Sequence, residues 1–346
     1  MKDVIDHIVA TGDLSLDQLG GLLSTEDKES VRYLFNQAHQ LAQSIYGNKI
    51  FLRGLIEISN HCKNDCLYCG IRRSRPSVHR YRLTKEQILQ CCQQGYVLGF
   101  RTFVLQGGED IRFDDNSMCN IVASIRQQHP DCAITLSLGE RSRESYQCLF
   151  EAGADRYLLR HETADRAHYR KLHPEEMSFD NRMRCLQDLK EIGYQVGCGF
   201  MVGAPYQTIE TLYKDLQFIR SFRPEMVGIG PFIPATDTPF ANRPAGTVDA
   251  TLRLLAIIRL IHPHVLLPAT TALGTLHPQG REMGILAGAN VIMPNLSPAE
   301  VRANYSIYDN KLSTGSEAAE TVDDTRQRLT PLGVALPPDR GDYKPQ

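Results

Sequence analysis

The chain has 346 residues, with 38 Lys and Arg against 40 Asp and Glu, for a formal net charge of −2. That length suits one large α/β domain or two small ones, and the interspersed charges form no basic stripe for nucleic acid. No run of about 18 apolar residues marks a membrane span, Met1–Asp6 carries no apolar signal segment, and ten cysteines without secretory features point to a reducing cytoplasm.

Residues 1–47 read as a helical extension packed outside the main domain. Ser15 and Gln18 stand at capping-box spacing for one of these helices, and Thr25 is placed to cap the next. From Ile50 onward apolar strand segments alternate with helical patterns. The strands are Ile50–Ile58, Thr102–Gln106, Ala133–Leu138, Arg156–Leu159, Gln195–Met201, Met226–Ile229, Val265–Pro268 and Asn290–Met293. Helices fall near residues 84–98, 116–128, 141–152, 179–193, 207–222, 247–261 and 278–287. Eight strands spaced by helices read as parallel β/α units, and their count matches a closed (β/α)8 TIM barrel over residues 48–311 better than a doubly wound open sheet. Residues 312–346 are polar and then proline-rich, and read as a weakly packed tail.

The first strand runs into Cys62-Lys63-Asn64-Asp65-Cys66-Leu67-Tyr68-Cys69-Gly70, a C-x3-C-x2-C spacing. Three thiolates on one short loop can hold three irons of a [4Fe–4S] cluster and leave the fourth iron open, whereas a cluster that only carries electrons has all its irons closed by the protein. A zinc site is the alternative, with His61 as fourth ligand, but zinc sites more often pair two C-x2-C units. Cys91, Cys92, Cys119, Cys148 and Cys185 are isolated in apolar runs and read as core residues. The triplet, set among Asn, Lys and Asp, does not.

In a parallel barrel the reactive groups gather where strands end. The second strand ends in Gln106-Gly107-Gly108-Glu109-Asp110, the third in Ser137-Leu138-Gly139-Glu140, the fourth in Arg160-His161-Glu162-Thr163 and the fifth in Met201-Val202-Gly203. The seventh ends in Pro268-Ala269-Thr270-Thr271 and the eighth in Pro294-Asn295. Singly, each stretch is an ordinary loop. Together with the triplet they would ring one mouth. His161, between an arginine and a glutamate, reads as a structural hydrogen-bonding residue rather than a catalyst.

These residues carry a resemblance. Cys62-x3-Cys66-x2-Cys69, with Tyr68 before the third cysteine, is the signature of radical S-adenosylmethionine (SAM) enzymes. Gln106-Gly107-Gly108-Glu109 resembles their glycine–glutamate motif, and Gly199-Phe200-Met201-Val202-Gly203 their strand-five motif near adenine. Within that superfamily the chain is similar, from about residue 50 to 311, to the HydE-type [FeFe]-hydrogenase maturases. Thr135–Glu140, Arg156–Thr163, Met226–Pro234, Pro268–Ala272 and Ala289–Asn295 carry that likeness.

The resemblance implies reductive cleavage of SAM to methionine and a 5′-deoxyadenosyl radical, on a [4Fe–4S] cluster held by Cys62, Cys66 and Cys69. It implies SAM contacts from Tyr68, Gln106, Gly107, Gly108, Glu109, Ser137, Glu162, Arg182 and Met201. Arg160, Thr270, Thr271 and Tyr308 match a deeper site for an amino-acid-like carboxylate. The implied substrate is a cysteine-bound iron carbonyl/cyanide complex from the maturase HydG, with HydF and a reductant such as ferredoxin or flavodoxin as further partners. No role in nucleic-acid or membrane binding is implied.

Bland readings stand beside these roles: Arg182 as a solvated helix residue, and the threonines as caps of the following turn. Some members carry a second cluster on C-terminal cysteines; here no cysteine follows Cys198, so an auxiliary cluster is not expected. Methylornithine synthase (PylB) and biotin synthase share barrel and triplet. Where biotin synthase places a strand-five cysteine this chain has Gly197, and Cys198 should face the opposite side of the strand. A non-catalytic Fe–S carrier would have no need of a SAM pocket.

Overall fold

The computed structural model describes residues 1–313 and 318–345. Its strands are β1 (Phe51–Leu52), β2 (Gly54–Ser59), β3 (Thr102–Gly107), β4 (Ala133–Ser137), β5 (Arg156–Leu158), β6 (Gln195–Cys198), β7 (Met201–Val202), β8 (Met226–Val227), β9 (Gly230–Pro231) and β10 (Val291–Ile292). Six of them form one parallel ladder in the order β2-β3-β4-β5-β6-β8. The ladder continues through parallel bridges Met226↔Leu266 and Pro268↔Val291. It then returns to its start, with Phe51 paired to Val291 and Leu52 to Ile292. Since β1 and β2 are one strand interrupted at Arg53, the ring is closed with eight staves, which replaces the open-sheet alternative.

Paired residues on parallel strands point to the same side. Glu57, Gln106 and Ser137 lie in register, so they form one layer inside the barrel. The fifth and sixth staves break where the sequence suggested unbroken strands. At Gly199, with φ 150°, an added Cβ would stand 2.0 Å from the Gly228 carbonyl oxygen; this crossing leaves room for glycine alone. The seventh stave, expected at Val265–Pro268, contributes bridges at Leu266 and Pro268 only. Three short helices that the sequence did not announce, Arg166–Leu172, Thr271–Leu276 and Ala299–Arg302, sit in loops at the strand ends. Each is too short to show a helical period.

Outside the barrel, helices α1 (Lys2–Thr11), α2 (Leu16–Ser24) and α3 (Lys28–Tyr46) insert Ile5, Ile8, Leu19, Leu22, Leu34 and Ala38 into the main core. This explains why helix Val248–Ile261 is buried all round from Thr251 to Ile261: one side meets the barrel and the other meets these helices. The Ser15–Gln18 capping box is present. Thr25, expected to cap α3, instead follows α2, and its hydroxyl accepts from the Asp27 amide at 3.3 Å. Asp27 is the cap, accepting from Glu29 and Ser30 amides at 3.1 and 3.3 Å. A carboxylate nearer the helix start reaches those free amides and suits the positive end of the helix dipole.

The C-terminal segment also departs from expectation. Its described part is tightly held: Ala319, Val322, Leu329 and Leu336 join the main core. Farther on it crosses the amino-terminal end of the barrel, where fully buried Arg156 donates to the Arg340 carbonyl at 2.9 Å and pairs with Asp342 at 2.6 Å. Sparse apolar residues in a polar, proline-rich stretch hid this packing. Among the described residues, no helix is long and apolar enough to cross a membrane.

His262, at the end of helix Val248–Ile261, is 3 % exposed and donates from Nε2 to the Pro224 carbonyl at 2.7 Å. Burial pushes its pKa down to about 4. In the unfolded chain it titrates near 6.5, so acid protonates the unfolded state first. The stability it confers is complete above pH 6.5 and drains as pH falls toward 4, by on the order of 2–3 kcal/mol. His262→Gln should therefore flatten the loss of melting temperature between pH 6.5 and 4; a slope identical to that of the unmodified protein would refute this.

Candidate active site at the barrel mouth

The cysteine loop leaves β2 at Ser59 and is shaped by buried polar groups. The Asn60 amide donates to the His79 and Asn304 carbonyls at 2.8 and 2.7 Å, and its Oδ1 accepts from the Tyr81 amide at 2.8 Å. Asp65 accepts from Arg72 Nε at 2.7 Å and from Ser74, and the Arg72 guanidinium holds its carboxyl well below the usual range. Arg80 donates to the carbonyls of Ile71 and Arg72 at 2.7 and 2.6 Å. The turn is thus tied to its surroundings by side-chain hydrogen bonds of its own.

Two glycines let other chain segments approach it. A Cβ on Gly108 would stand 2.2 Å from the His61 carbonyl oxygen and 2.8 Å from Cys62 Cβ; one on Gly70 would stand 2.2 Å from the Ser306 carbonyl oxygen. Glu109 ties the same loop down: its carbonyl accepts from the Lys63 amide at 2.9 Å, and its carboxylate lies 3.1 Å from Lys63 Nζ.

Cys62, Cys66 and Cys69 are free thiols. Burial raises all three, Cys69 to about 12. Such thiols need a strongly cationic partner to ionise, and iron supplies it. Among the described residues, no three His, Cys, Asp or Glu side chains converge as they would around a single ion, His61 with the thiols included.

Beside the loop, Tyr68 and Leu67 pack against a small apolar cluster of Leu172, Met201, Ala204, Phe232 and Phe240. The structure thereby joins Tyr68 to Met201. The Tyr68 hydroxyl is 3.2 Å from His173 Nε2, and burial pushes His173 down to about 3, so that imidazole is neutral.

Farther round, Arg182 is 6 % exposed, which rules out a solvated helix residue. Its Nε donates to Glu140 at 2.5 Å and its Nη1 to the Arg160 carbonyl at 2.5 Å. Glu162 has φ 64°, a region that costs a side-chain-bearing residue energy and that persists where surroundings enforce it. Its Oε2 is buried without a hydrogen-bond partner, as are Arg160 Nε and Nη2. Arg160 Nη2 and Glu162 Oε2 stand 3.2 Å apart: a charge contact whose geometry leaves both groups able to accept further partners.

Thr270 occupies the cap position of helix Thr271–Leu276 but makes no side-chain cap bond, and its buried Oγ1 is unpartnered. The capping reading does not describe it. These residues share one rim, because Glu162 bridges Phe200, Met201 pairs with Gly230, and a Cβ on Gly230 would stand 2.8 Å from Thr270 Oγ1. Tyr308 lies on a return segment bound to the cysteine loop through Gly70 N to the Ile307 carbonyl at 2.8 Å.

Several residues here went unnoticed in the sequence. Glu57, wholly buried, pairs with Lys311 at 2.7 Å and accepts from Asn295 at 2.9 Å. Gln106 Nε2 reaches the Tyr305 hydroxyl at 3.4 Å. A glutamate inside the all-buried strand Gly54–Ser59 was the available signal. Cys198 is buried in the main core, while the Cβ position of Gly197 would meet Leu158 and Met226; the two face opposite sides, as expected. Of the C-terminal stretch in which the sequence shows no auxiliary-cluster cysteine, residues 314–317 lie outside the described residues.

A closed α/β barrel with a cysteine loop at its carboxyl mouth defines a class, and the comparisons agree with it. The Radical SAM superfamily pattern matches residues 56–219. The solved structure of methylornithine synthase (PylB) superposes with a TM-score of 0.86 at 28% identity, covering 96% of this chain and 97% of that one. The chain is a radical SAM enzyme, and its cofactors are a [4Fe–4S] cluster and SAM.

Sequence narrows this further. The [FeFe] hydrogenase maturase subunit HydE of Thermotoga maritima is 46% identical over 290 residues, 84% of this chain and 82% of that protein. The 3-methylornithine synthase of Methanosarcina acetivorans is 31% identical over 305 residues, 87% of this chain and 85% of that protein. The chain belongs to the HydE family.

The residues present fit the cofactors. Three buried thiols suit iron, and the Glu162–Arg160 ion pair, with buried atoms that make no hydrogen bond, lies on the same rim as the unpartnered Thr270 hydroxyl. Gly108→Ala should displace the loop at Cys62: iron bound per chain after reconstitution should fall severalfold while the far-ultraviolet circular dichroism stays unchanged. Full iron content in this variant would show that the close approach is dispensable.

Proposed function

We propose that this protein acts in assembly of the diiron part of the [FeFe]-hydrogenase H-cluster. Its substrate would be a cysteine-bound iron carbonyl/cyanide complex delivered by HydG, with HydF and a ferredoxin or flavodoxin as further partners in the cytoplasm. The observation that supports the reading is the Glu162–Arg160 contact at 3.2 Å, on the rim that also carries the unpartnered Thr270 hydroxyl. Identity to the HydE relative, higher than to the methylornithine synthase, favours this substrate over an amino-acid rearrangement.

When bound, the cluster supplies the electron that splits SAM into methionine and an adenosyl radical. This chain's own residues bind and orient. Cys62, Cys66 and Cys69 would hold the cluster through their thiolates and leave it open toward SAM. Gln106, Gly107, Gly108, Glu109 and Ser137 would border that position, although the Gly108 amide itself donates to the Ser59 carbonyl at 3.0 Å. Glu162 accepts hydrogen bonds from ribose hydroxyls or an ammonium, and Arg182, fixed by Glu140, presents a buried positive charge. Met201 and Tyr68 offer an apolar wall. Arg160, Thr270, Thr271 and Tyr308 suit a substrate carboxylate, one cation with three hydroxyls. A deep, closed barrel excludes water from a reactive intermediate.

Glu162→Ala and Arg182→Ala should each weaken SAM binding by about 1–3 kcal/mol, the worth of a hydrogen bond to a charged group, as read by equilibrium titration of the reconstituted enzyme. Unchanged affinity in both would place SAM elsewhere.

Arg160→Ala separates the two halves of the site. Arg182 is anchored on the Arg160 backbone carbonyl, which this substitution keeps. Hydrogenase maturation with HydG and HydF should be abolished while SAM binding and most uncoupled SAM cleavage remain. Equal loss of SAM binding and maturation would reject a separate substrate site.

A further inference from the structure

His161 and Asp215 are both wholly buried, and His161 Nε2 stands 3.3 Å from Asp215 Oδ1. On the other side of the ring, the Gly199 amide donates to His161 Nδ1 at 3.2 Å. An Nδ1 that accepts a backbone N–H carries no proton, so the ring's proton is on Nε2, which lies beside Asp215 without a hydrogen bond to it. The carboxylate is held in turn by the Ala164 amide. Phe200 and Phe218 pack on the imidazole with ring centroids 5.8 and 4.8 Å away. This encloses the ring.

The residue after His161 is Glu162, whose amide donates to the Gly199 carbonyl at 3.0 Å. Gly199 is therefore gripped from two sides: its N–H by the His161 ring, its C=O by the Glu162 backbone. Glu162 is also the residue with φ 64°, a conformation that lasts only where the surroundings over-determine it. The grip supplies that determination. Gly199 cannot slide away, because the Gly228 carbonyl closes its other side.

We propose that His161, fixed by the Gly199 amide and by the rings packed on it, is a positioning residue that holds the Glu162 carboxylate turned into the mouth for SAM. It touches neither SAM nor substrate. The inference rests on the reading of Glu162 as a SAM ligand.

The test uses the full-length reconstituted enzyme, with SAM affinity, cluster content and melting temperature measured together. Asn places an oxygen where His carries Nδ1, restoring the acceptor for Gly199; Gln restores the reach toward Asp215 but not that acceptor. His161→Ala should lower SAM affinity tenfold or more at unchanged cluster content. His161→Asn should recover most of it, and His161→Gln should not. A purely structural histidine would instead order the three variants by melting temperature and leave SAM affinity alike in all that fold. If His161→Ala does not fold, the contrast between Asn and Gln decides: Gln binding SAM as well as or better than Asn overturns the proposal. Glu162→Ala keeps the two ideas apart. Unchanged SAM affinity there sinks the reading of Glu162 itself, whereas weakened affinity there with normal affinity in His161→Ala sinks only the positioning role.

Discussion

The pairing of the first stave with the last, Phe51 on Val291 and Leu52 on Ile292, is the constraint on which the site depends. A parallel ladder leaves its edge amides and carbonyls free unless it closes, and closure brings the chain after β10 directly over β2. The consequences can be followed residue by residue. The Leu296 amide donates to the Leu55 carbonyl at 2.7 Å, and the Glu57 amide donates to Ser297 Oγ at 2.8 Å. From there the return segment crosses the mouth. It meets Asn60 at Asn304 and Gly70 at Ile307, and it ends at Lys311 against Glu57. An open sheet of the same strands would leave Tyr308 and the cysteine loop unconnected.

Buried polar groups divide by location. At the amino-terminal end, Arg156 is satisfied within the protein by Thr102, Gln195, the Arg340 carbonyl and Asp342. At the return segment, Glu57 spends both carboxylate oxygens on Asn295 and Lys311. A buried ion pair with both partners in place is near neutral for stability and gains its use by fixing one arrangement of the chain. At the mouth the balance differs, since Glu162, Arg160 and Thr270 leave polar atoms without partners. An unsatisfied buried donor or acceptor costs about 1–3 kcal/mol. These are the polar atoms that a ligand with matching groups would satisfy.

Much of this was legible in the sequence because it rests on local patterns. The cysteine spacing, the Gly-Gly-Glu turn and the alternation of strand with helix are properties of short windows, and helix caps such as Ser15 with Gln18 are readable three residues apart. What escaped depends on distant partners. Asp27 outcompetes Thr25 only once the helix start is known. Glu57 reads as an oddity in an apolar strand until Lys311, 254 residues later, meets it. The tail beyond residue 317 has too few apolar residues to announce packing, yet the carbonyl of Arg340 and the carboxylate of Asp342 are what a buried arginine requires. His161 read as structural because a histidine between charges usually is; its link to Gly199 appears only when adjacent staves are brought side by side.

The comparisons also separate fold from function. The PylB structure overlays nearly the whole chain, yet a shared barrel hosts different chemistries. What a barrel of this kind fixes is the relation between the cysteine loop and the strand ends that face it. In the proposed reading, the molecule that meets the radical is selected by side chains on later staves and on the return segment. Arg160 lies at the junction of these two layers: its backbone carbonyl anchors Arg182, while its guanidinium stands against Glu162 and leaves Nε and Nη2 free of hydrogen-bond partners. One residue thereby links the Arg182 anchor to the charge beside Glu162. On the proposed reading, substrate choice can vary through side chains on the later staves while the cysteine loop and its buried polar supports stay the same.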